Sequence, residues 1–249
     1  MPLVEPEARW AAEFQRYTMK SLQKPQTPQL GSRSQARSVQ TEIRIMGFYQ
    51  ERMLPWLIHL SMRQKRLAPY RNRVVTAATG RILEIGIGSG LNLPFYPKDV
   101  RQIVGLDPSP KLLEMARSSG RERSMPLELV EGSAEAIPVE DRSIDTVVTT
   151  WTMCSIPDVQ RALQEVRRVL KPGASLLFVE HGRAPEAGVQ WWQDHLNPAW
   201  KRLSGGCHLN RGIADLIQNA GFHIERLDTG YMPGLKPMGF IYEGSARPR

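Results

Sequence analysis

Short apolar runs alternate with amphipathic segments through most of the chain after residue 80. Runs of apolar and β-branched residues are typical of buried strands, and apolar positions spaced three and four apart are typical of surface helices. Helical patterns separate most of the runs, so we expect an α/β fold with a doubly wound, seven-stranded, mostly parallel sheet. The seven predicted strands are residues 82–85, 102–106, 127–130, 144–150, 175–179, 223–229 and 240–246.

The residues before the sheet divide into two predicted parts. Residues 1–42 are rich in Pro, Gln, Ser and Arg, which predicts a flexible basic tail because little apolar surface is available to bury. Residues 43–79 carry a helical pattern that Pro55 and Pro69 should kink or divide. We therefore expect a tail at 1–42, a helical lid segment at 43–79 and a sheet domain at 80–249.

A glycine-rich turn follows the first predicted strand. Gly86, Gly88 and Gly90 alternate with other residues there. Glycine permits positive φ and lets backbone N–H groups approach a ligand closely, so the turn predicts a site for a polar or charged small molecule. The spacing differs from the dinucleotide pattern GxGxxG, and the Gly-Lys-Ser/Thr of a phosphate-binding loop does not occur in this turn.

An acidic residue ends the second predicted strand. Asp107 follows residues 102–106, and an acid about twenty residues after the glycine turn is where an α/β sheet holds the two hydroxyls of a ribose. The turn and the acid together indicate a cofactor that contains a nucleoside.

Four motifs in order resemble one enzyme family. ExGxGxG at 84–90 with Asp107, GSAEAIP at 132–138, DTVV at 145–148 and EVRRVLKPG at 165–173 are similar to the class I S-adenosylmethionine-dependent methyltransferases, type 11 (quinone-methyltransferase-like) branch. The resemblance implies a Rossmann-like domain with an N-terminal helical extension, and S-adenosyl-L-methionine as cofactor. The implied cofactor-binding residues are Tyr49, Glu84, Gly86, Gly88, Gly90, Asp107, Pro108, Ala134, Glu135, Thr150 and Trp151.

Further segments resemble a thiol-specific subgroup of that branch. NPAW at 197–200, GCHLNR at 206–211, CS at 154–155 and EH at 180–181 are similar to the subgroup that contains the mammalian membrane-associated thiol S-methyltransferases. The resemblance implies methyl transfer to a small-molecule thiol. An imidazole would raise the ionised fraction of such a thiol. The first candidate catalytic residue is therefore His181, and the next candidates are Asp194 and His195. The alternative for each is a purely structural role.

Two other functions stay open. One is N- or O-methylation of a phospholipid amine or a quinone-like phenol. The other is binding of the cofactor by a regulatory module that transfers nothing, against which the intact glycine turn and Asp107 argue.

The distribution of charge bears on partners and location. Residues 1–79 hold thirteen Lys and Arg against five Asp and Glu, whereas residues 80–249 hold twenty of each kind. The basic part is either a solvated segment without a partner or a segment that contacts anionic membrane lipid peripherally. No nucleic-acid-binding motif is recognised in the sequence, so we expect no nucleic-acid partner.

The remaining composition favours a cytoplasmic protein. No stretch of the sequence approaches the roughly eighteen apolar residues of a membrane span. Cys154 and Cys207 are too few for a disulfide framework and form no short Cys/His spacing, which predicts a reducing compartment and no bound metal. The sequence leaves the acceptor and the oligomeric state open.

Overall fold

The computed structural model describes residues 53–123 and 126–249, all of which belong to the unit Phe48–Arg249 of the chain. The predicted basic tail, Tyr49 and the first part of the predicted helical segment lie outside the described residues. The predicted division at residues 42 and 79 therefore stays a prediction.

Helices and strands follow one another along the described chain. The helices are α1 (Leu54–Met62), α2 (Ala68–Val75), α3 (Pro110–Glu122), α4 (Val159–Val169), α5 (Ala187–Leu203), α6 (Ile213–Asn219) and α7 (Lys236–Gly239), and short 3-10 turns span Lys65–Leu67 and Leu93–Phe95. The strands are β1 (Arg81–Ile85), β2 (Gln102–Asp107), β3 (Leu127–Glu131), β4 (Ile144–Thr150), β5 (Leu170–His181), β6 (Phe222–Tyr231) and β7 (Phe240–Pro248).

The strands form one sheet in the order β3-β2-β1-β4-β5-β7-β6. Strands β1 to β5 pair in parallel, and β7 pairs antiparallel with both β5 and β6. The predicted fold class, a seven-stranded and mostly parallel α/β sheet, is confirmed. The order reverses between β1 and β4, and the carboxyl ends of strands at such a switch point are where α/β sheets bind ligands.

Helices cover both faces of the sheet because alternate strand residues point to opposite sides. Leu83 of β1 packs with α4 and α6 in one buried cluster, whereas Ile82 packs with α2 and α3 in the other. The alternation places Glu84, the next residue but one after Ile82, on the same side as α2. A buried acid therefore lies between the sheet and the N-terminal helices.

Local signals account for several helix starts. Ser109 caps α3, with its Oγ accepting from the Leu112 N–H at 3.4 Å, and Pro110 occupies the first turn. Asp158 caps α4 in the same manner, at 3.0 Å from the Arg161 nitrogen. Pro55 lies in the first turn of α1, and Pro69 lies in the first turn of a separate helix, α2. The predicted division is therefore confirmed at Pro69, whereas the chain before residue 53 lies outside the described range.

The start of β5 is the strand boundary that differs most from the prediction. Strand β5 begins at Leu170 and not at residue 175, because Leu170 pairs with Ile144 before an irregularity in the register, after which Ser175 pairs with Thr146. The predicted stop at Lys171–Gly173 does end the preceding helix at Val169. Within the described ranges, no helix combines the length and the apolar character needed to cross a bilayer.

Candidate active site

A cavity of about 300 Å³ opens at the carboxyl ends of β1, β2 and β4. Its volume is at the lower end of the range of about 300–1,000 Å³ found for small-molecule sites. Its polar and charged walls come from α1, α2, the glycine turn and the strand tips. The residues that concern the cofactor are His59, Arg71, Glu84, Gly86, Gly88, Asn92, Asp107, Pro108, Ser133, Ala134, Thr150 and Trp151.

The glycine turn is held against the tip of β2. The Gly86 N–H donates to the Leu106 carbonyl at 2.8 Å, and the Gly88 N–H donates to Oδ2 of Asp107 at 2.9 Å. Gly88 has a φ of +56°, and a Cβ placed there would come no nearer to its surroundings than 3.9 Å, at the Gly86 carbonyl. The backbone at Gly88 therefore faces open space that a ligand can approach.

Asp107 is the acid predicted to hold a ribose. Its side chain is 5% exposed, and its Oδ1 accepts from the Ser109 N–H at 2.9 Å. Burial raises the pKa of Asp107, while the hydrogen bonds from Ser109 and Gly88 act in the opposite direction. Two backbone donors leave lone pairs free on a carboxylate, so Asp107 can still accept from two hydroxyls.

A buried carboxylate lies at the end of β1. Glu84 is 1% exposed, and its two oxygens accept from Nδ2 of Asn92 and from the Tyr96 hydroxyl, each at 2.8 Å. Burial raises the pKa of Glu84 to about 7 even though both hydrogen bonds favour the ionised form. Asn92 also donates to Oγ1 of Thr150 at 3.0 Å, which ties the glycine turn to the end of β4.

Arg71 brings a positive charge into the same cavity from α2. It is 4% exposed, and its guanidinium lies 4.8 Å from the centre of the Trp151 ring. Burial lowers the pKa of Arg71 to about 10, and the nearby charge of Glu84 opposes that shift, so the group remains a cation at neutral pH. Nε of Arg71 and Nε1 of Trp151 are buried donors without a hydrogen-bond partner in the described protein.

These groups fit the parts of S-adenosylmethionine. Arg71 and the free indole N–H can donate to a carboxylate, and Glu84 can accept from an ammonium group, so a zwitterionic amino-acid end fits between them. Asp107 fits the sugar, and the loop of Ser133 and Ala134 provides a wall beside the sugar site for the base. Orphaned buried donors are uncommon in native proteins, and a ligand carboxylate would explain both.

The structure brings most of the predicted cofactor residues to the cavity, but not all of them. Gly90 does not line it, and a Cβ at Gly90 would lie 2.9 Å from Leu93, so its role is to let the turn pack. The Glu135 carboxylate accepts from the Asp158 N–H at 2.6 Å and is not part of the cavity wall. Tyr49 lies outside the described residues. The predicted residues that line the cavity are Glu84, Gly86, Gly88, Asp107, Pro108, Ala134, Thr150 and Trp151.

The three predicted catalytic residues do not line the cavity. Asp194 is ion-paired with Arg183 at 3.2 Å and accepts from Asn210. His195 is exposed, stacks on Trp191 and contacts that residue's carbonyl through Nδ1. His181 lies behind the cavity wall, with Nε2 at 2.9 Å from Sγ of Cys207.

Sequence reasoning missed several residues of the site, and Arg71 and His59 are the clearest. Arg71 lies on the buried face of α2 with Val74 and Val75, three and four positions later. An arginine on that apolar face is the signal that would have found it. His59 lines the cavity from α1, with Nδ1 at 2.7 Å from the Ser89 hydroxyl.

Comparison with known families agrees with the fold and the cavity. A family model described as a methyltransferase domain matches residues 83–178, the segment from β1 into β5. With the strand order and the glycine turn, the match confirms the resemblance drawn from the motifs: the chain carries a class I S-adenosylmethionine-dependent methyltransferase domain. S-adenosyl-L-methionine is the cofactor that such a domain implies.

Within that class, the chain is similar to thiol S-methyltransferases. It is 36% identical over 154 residues to Thiol S-methyltransferase TMT1B of Homo sapiens, with 59% of this chain and 63% of that protein covered. Against a phosphatidylethanolamine N-methyltransferase of Cereibacter sphaeroides it is 34% identical over 121 residues, with 47% and 59% covered. The chain thus spans about three fifths of the length of these relatives.

A solved structure shows the same fold at lower identity. A SAM-dependent methyltransferase from Aquifex aeolicus has a TM-score of 0.56 and 17% identity, with 77% of this chain and 97% of that chain covered.

Proposed function

We propose that the chain transfers the methyl group of S-adenosyl-L-methionine to a small-molecule thiol. The likeness to thiol S-methyltransferases carries the choice of acceptor. The cavity supports the choice of donor, since it combines an acid for the sugar with a cation and a carboxyl group for the amino-acid end.

The bound cofactor would supply an electrophilic methyl group on a positively charged sulfur. The protein would act mainly by holding donor and acceptor in line, an effect worth about 7–11 kcal/mol of barrier in well-oriented reactions. Arg71, Glu84 and Asp107 line one cavity and would hold three separate parts of the donor, which would limit its movement. Apolar side chains that include Ile58, Met62, Ile156 and Trp151 also line the cavity and would limit the access of water to the reacting groups.

Ionisation of the acceptor does not demand a strong base. A thiol with a pKa of about 8.5 is already a few per cent thiolate at pH 7. Among the described residues that line the cavity, His59 is the histidine placed to take up the proton. Burial, followed by the charge of Arg63, lowers the pKa of His59, which keeps the imidazole neutral and able to accept.

Methylation of a phospholipid amine is the second candidate, and the likeness to a phosphatidylethanolamine N-methyltransferase favours it. The test is a panel of acceptors with isotopically labelled donor: hydrogen sulfide, small alkyl thiols, phosphatidylethanolamine vesicles and simple phenols. We expect labelled methyl sulfides from the thiols, and much less of them with Asp107→Asn at a donor concentration that does not saturate the variant. Turnover of the amine or a phenol without turnover of any thiol would refute the thiol assignment, and binding without any turnover would favour the regulatory module.

A further inference from the structure

Three side chains with metal-binding atoms meet behind the cavity. Cys154 follows β4, His181 ends β5, and Cys207 follows α5. One ligand atom from each residue lies within 4.8 Å of the other two. Their positions 154, 181 and 207 form no short spacing, so only the fold brings them together.

The cluster is largely buried, with His181 partly exposed. Both cysteines are buried and not in a disulfide. Nε2 of His181 lies 2.9 Å from Sγ of Cys207, and the Trp200 indole donates to the same sulfur at 3.3 Å. Sγ of Cys154 lies 3.5 Å from the Ser155 hydroxyl. Donors of this kind orient and stabilise a ligating sulfur.

The donor set and its dimensions suit zinc. Two thiolates and one imidazole are a known three-ligand set for a zinc ion that keeps a fourth position open. Bond lengths of about 2.3 Å to sulfur and 2.0–2.1 Å to nitrogen place the ligands of a tetrahedral ion about 3.5–3.8 Å apart. Nε2 of His181 and Sγ of Cys207 are 2.9 Å apart, and no two of the three ligand atoms are more than 4.8 Å apart. These distances lie on either side of that range, so side-chain shifts of about 1 Å or less would complete a tetrahedral geometry.

Charge also favours a divalent ion. Two thiolates and a dication sum to zero, which burial tolerates, whereas two unpaired thiolates would not be tolerated. The surrounding fixed charges, Glu180 and Arg211, are of opposite sign and both act electrostatically on the cluster.

We propose that Cys154, His181 and Cys207 bind one zinc ion through Sγ, Nε2 and Sγ, with a fourth position available to an exogenous ligand. Ser155 and Gly205, close neighbours in sequence of the two cysteines, line the cavity, so the proposed site lies next to the cavity wall. The proposal departs from the expectation of no metal, which rested on sequence spacing alone. It does not depend on which acceptor the chain methylates.

Metal content gives the first test. Full-length, tag-free chain purified under reducing conditions without chelator should hold about one zinc per chain by elemental analysis. The cobalt-substituted protein should show a thiolate-to-cobalt charge-transfer band and the visible bands of a tetrahedral ion. Cys154→Ser, Cys207→Ser and His181→Ala should each lose most of the metal, while His195→Ala, which changes an exposed histidine outside the cluster, should retain it.

Thiol protection tests the same site in the unmutated chain, where failure to fold is not a concern. The sequence holds two cysteines, so alkylation counts only these thiols. Both thiols should be alkylated more slowly with zinc bound than after treatment with a chelator. The proposal would be overturned by wild-type protein that takes up neither zinc nor cobalt, by a cobalt spectrum without the thiolate band, or by a Cys154–Cys207 disulfide in freshly reduced and repurified protein. Wild-type protein that binds zinc but methylates no thiol would instead count against the proposed function alone.

Discussion

Glu84 should make the chain less stable as the pH rises. Burial raises its pKa from 4.5 to about 7 in the folded chain. Between these values the folded protein keeps a proton that the unfolded chain has lost, so the contribution to stability is complete below pH 4.5 and is lost as the pH rises through 7. The difference between the two pKa values corresponds to about 3 kcal/mol, most of it between about pH 5 and pH 8.

Substitution of Glu84 by Gln isolates this contribution from that of other titrating groups. The amide is nearly isosteric and keeps an oxygen for the Tyr96 hydroxyl. Oδ1 of Asn92 has no partner in the described protein, so the Asn92 amide can turn and accept from the new N–H. Glu128→Gln is the matched control, because Glu128 is an exposed carboxylate on the outer strand β3.

The assay is urea unfolding of cofactor-free protein, followed by tryptophan fluorescence, at half-unit steps from pH 5 to pH 8. The wild-type free energy of unfolding should fall by about 2–3 kcal/mol relative to Glu84→Gln over this range. Glu128→Gln should follow the wild type. Parallel curves for wild type and Glu84→Gln would show that Glu84 is ionised throughout, and would refute the assignment of a raised pKa.

Cofactor binding should change the protonation of Glu84. The ammonium of a bound amino-acid end would favour ionised Glu84, so binding at pH 7 should release a fraction of a proton. Calorimetry in two buffers with different ionisation enthalpies measures that release directly. Glu84→Gln should remove it.

Other variants separate the parts of the site. Asp107→Asn should weaken cofactor binding roughly 10- to 150-fold, from about 1.5–3 kcal/mol for the lost charged acceptor, as measured by calorimetry. Gly88→Ala should abolish binding, since its methyl group enters the cavity, yet lower stability by only about 1–2 kcal/mol from the positive φ. Gly90→Ala should be the less stable of the two glycine variants in thermal melting, because its Cβ meets Leu93. Arg71→Lys should weaken binding of the full cofactor but not of 5′-methylthioadenosine, which lacks the amino-acid end; equal losses for both would contradict the assigned contact.

The sequence predicts the part of the site that is built from contiguous motifs. Parallel strands deliver their carboxyl ends to one edge, so the turn at Gly86 and Gly88, the acid Asp107 and the residues after β4 had to meet there. Arg71 and His59 come from helices before the sheet. The apolar face of α2 marks Arg71 as an unusual buried cation, but the pattern does not say that this face borders the cavity. Their positions depend on tertiary packing. The periodicity of apolar residues shows that one face of a helix is buried, but not what that face packs against.

The predictions for Asp194 and His195 show that the orientation of a helix determines which of its side chains can reach a cavity. Asp194 and His195 lie in α5, where Gln193 is the buried residue. Its amide accepts from the Ala184 N–H and donates to the Gly182 and Pro237 carbonyls, so it holds α5 to the segment after β5 and to α7. Two positions along a helix turn a side chain by about 200°, which puts His195 on the outer face. Asp194 and His195 are predicted from their residue types, which contain no information about the direction in which the helix turns them.

The unsatisfied polar atoms connect stability to binding. Of the four buried side-chain atoms without a hydrogen-bond partner in the described protein, those on Arg71, Asn92 and Trp151 belong to residues that line the cavity. Each such atom costs about 1–3 kcal/mol when left unpaired, so the free protein holds its binding groups in place at the expense of its own stability. Glu84 adds to that cost once it ionises, because the same burial that prepares it for an ammonium group penalises its charge. A ligand that supplies hydrogen-bond partners to all of these atoms therefore binds more tightly than its contact area suggests. The free chain, in turn, is destabilised at the residues that bind the ligand.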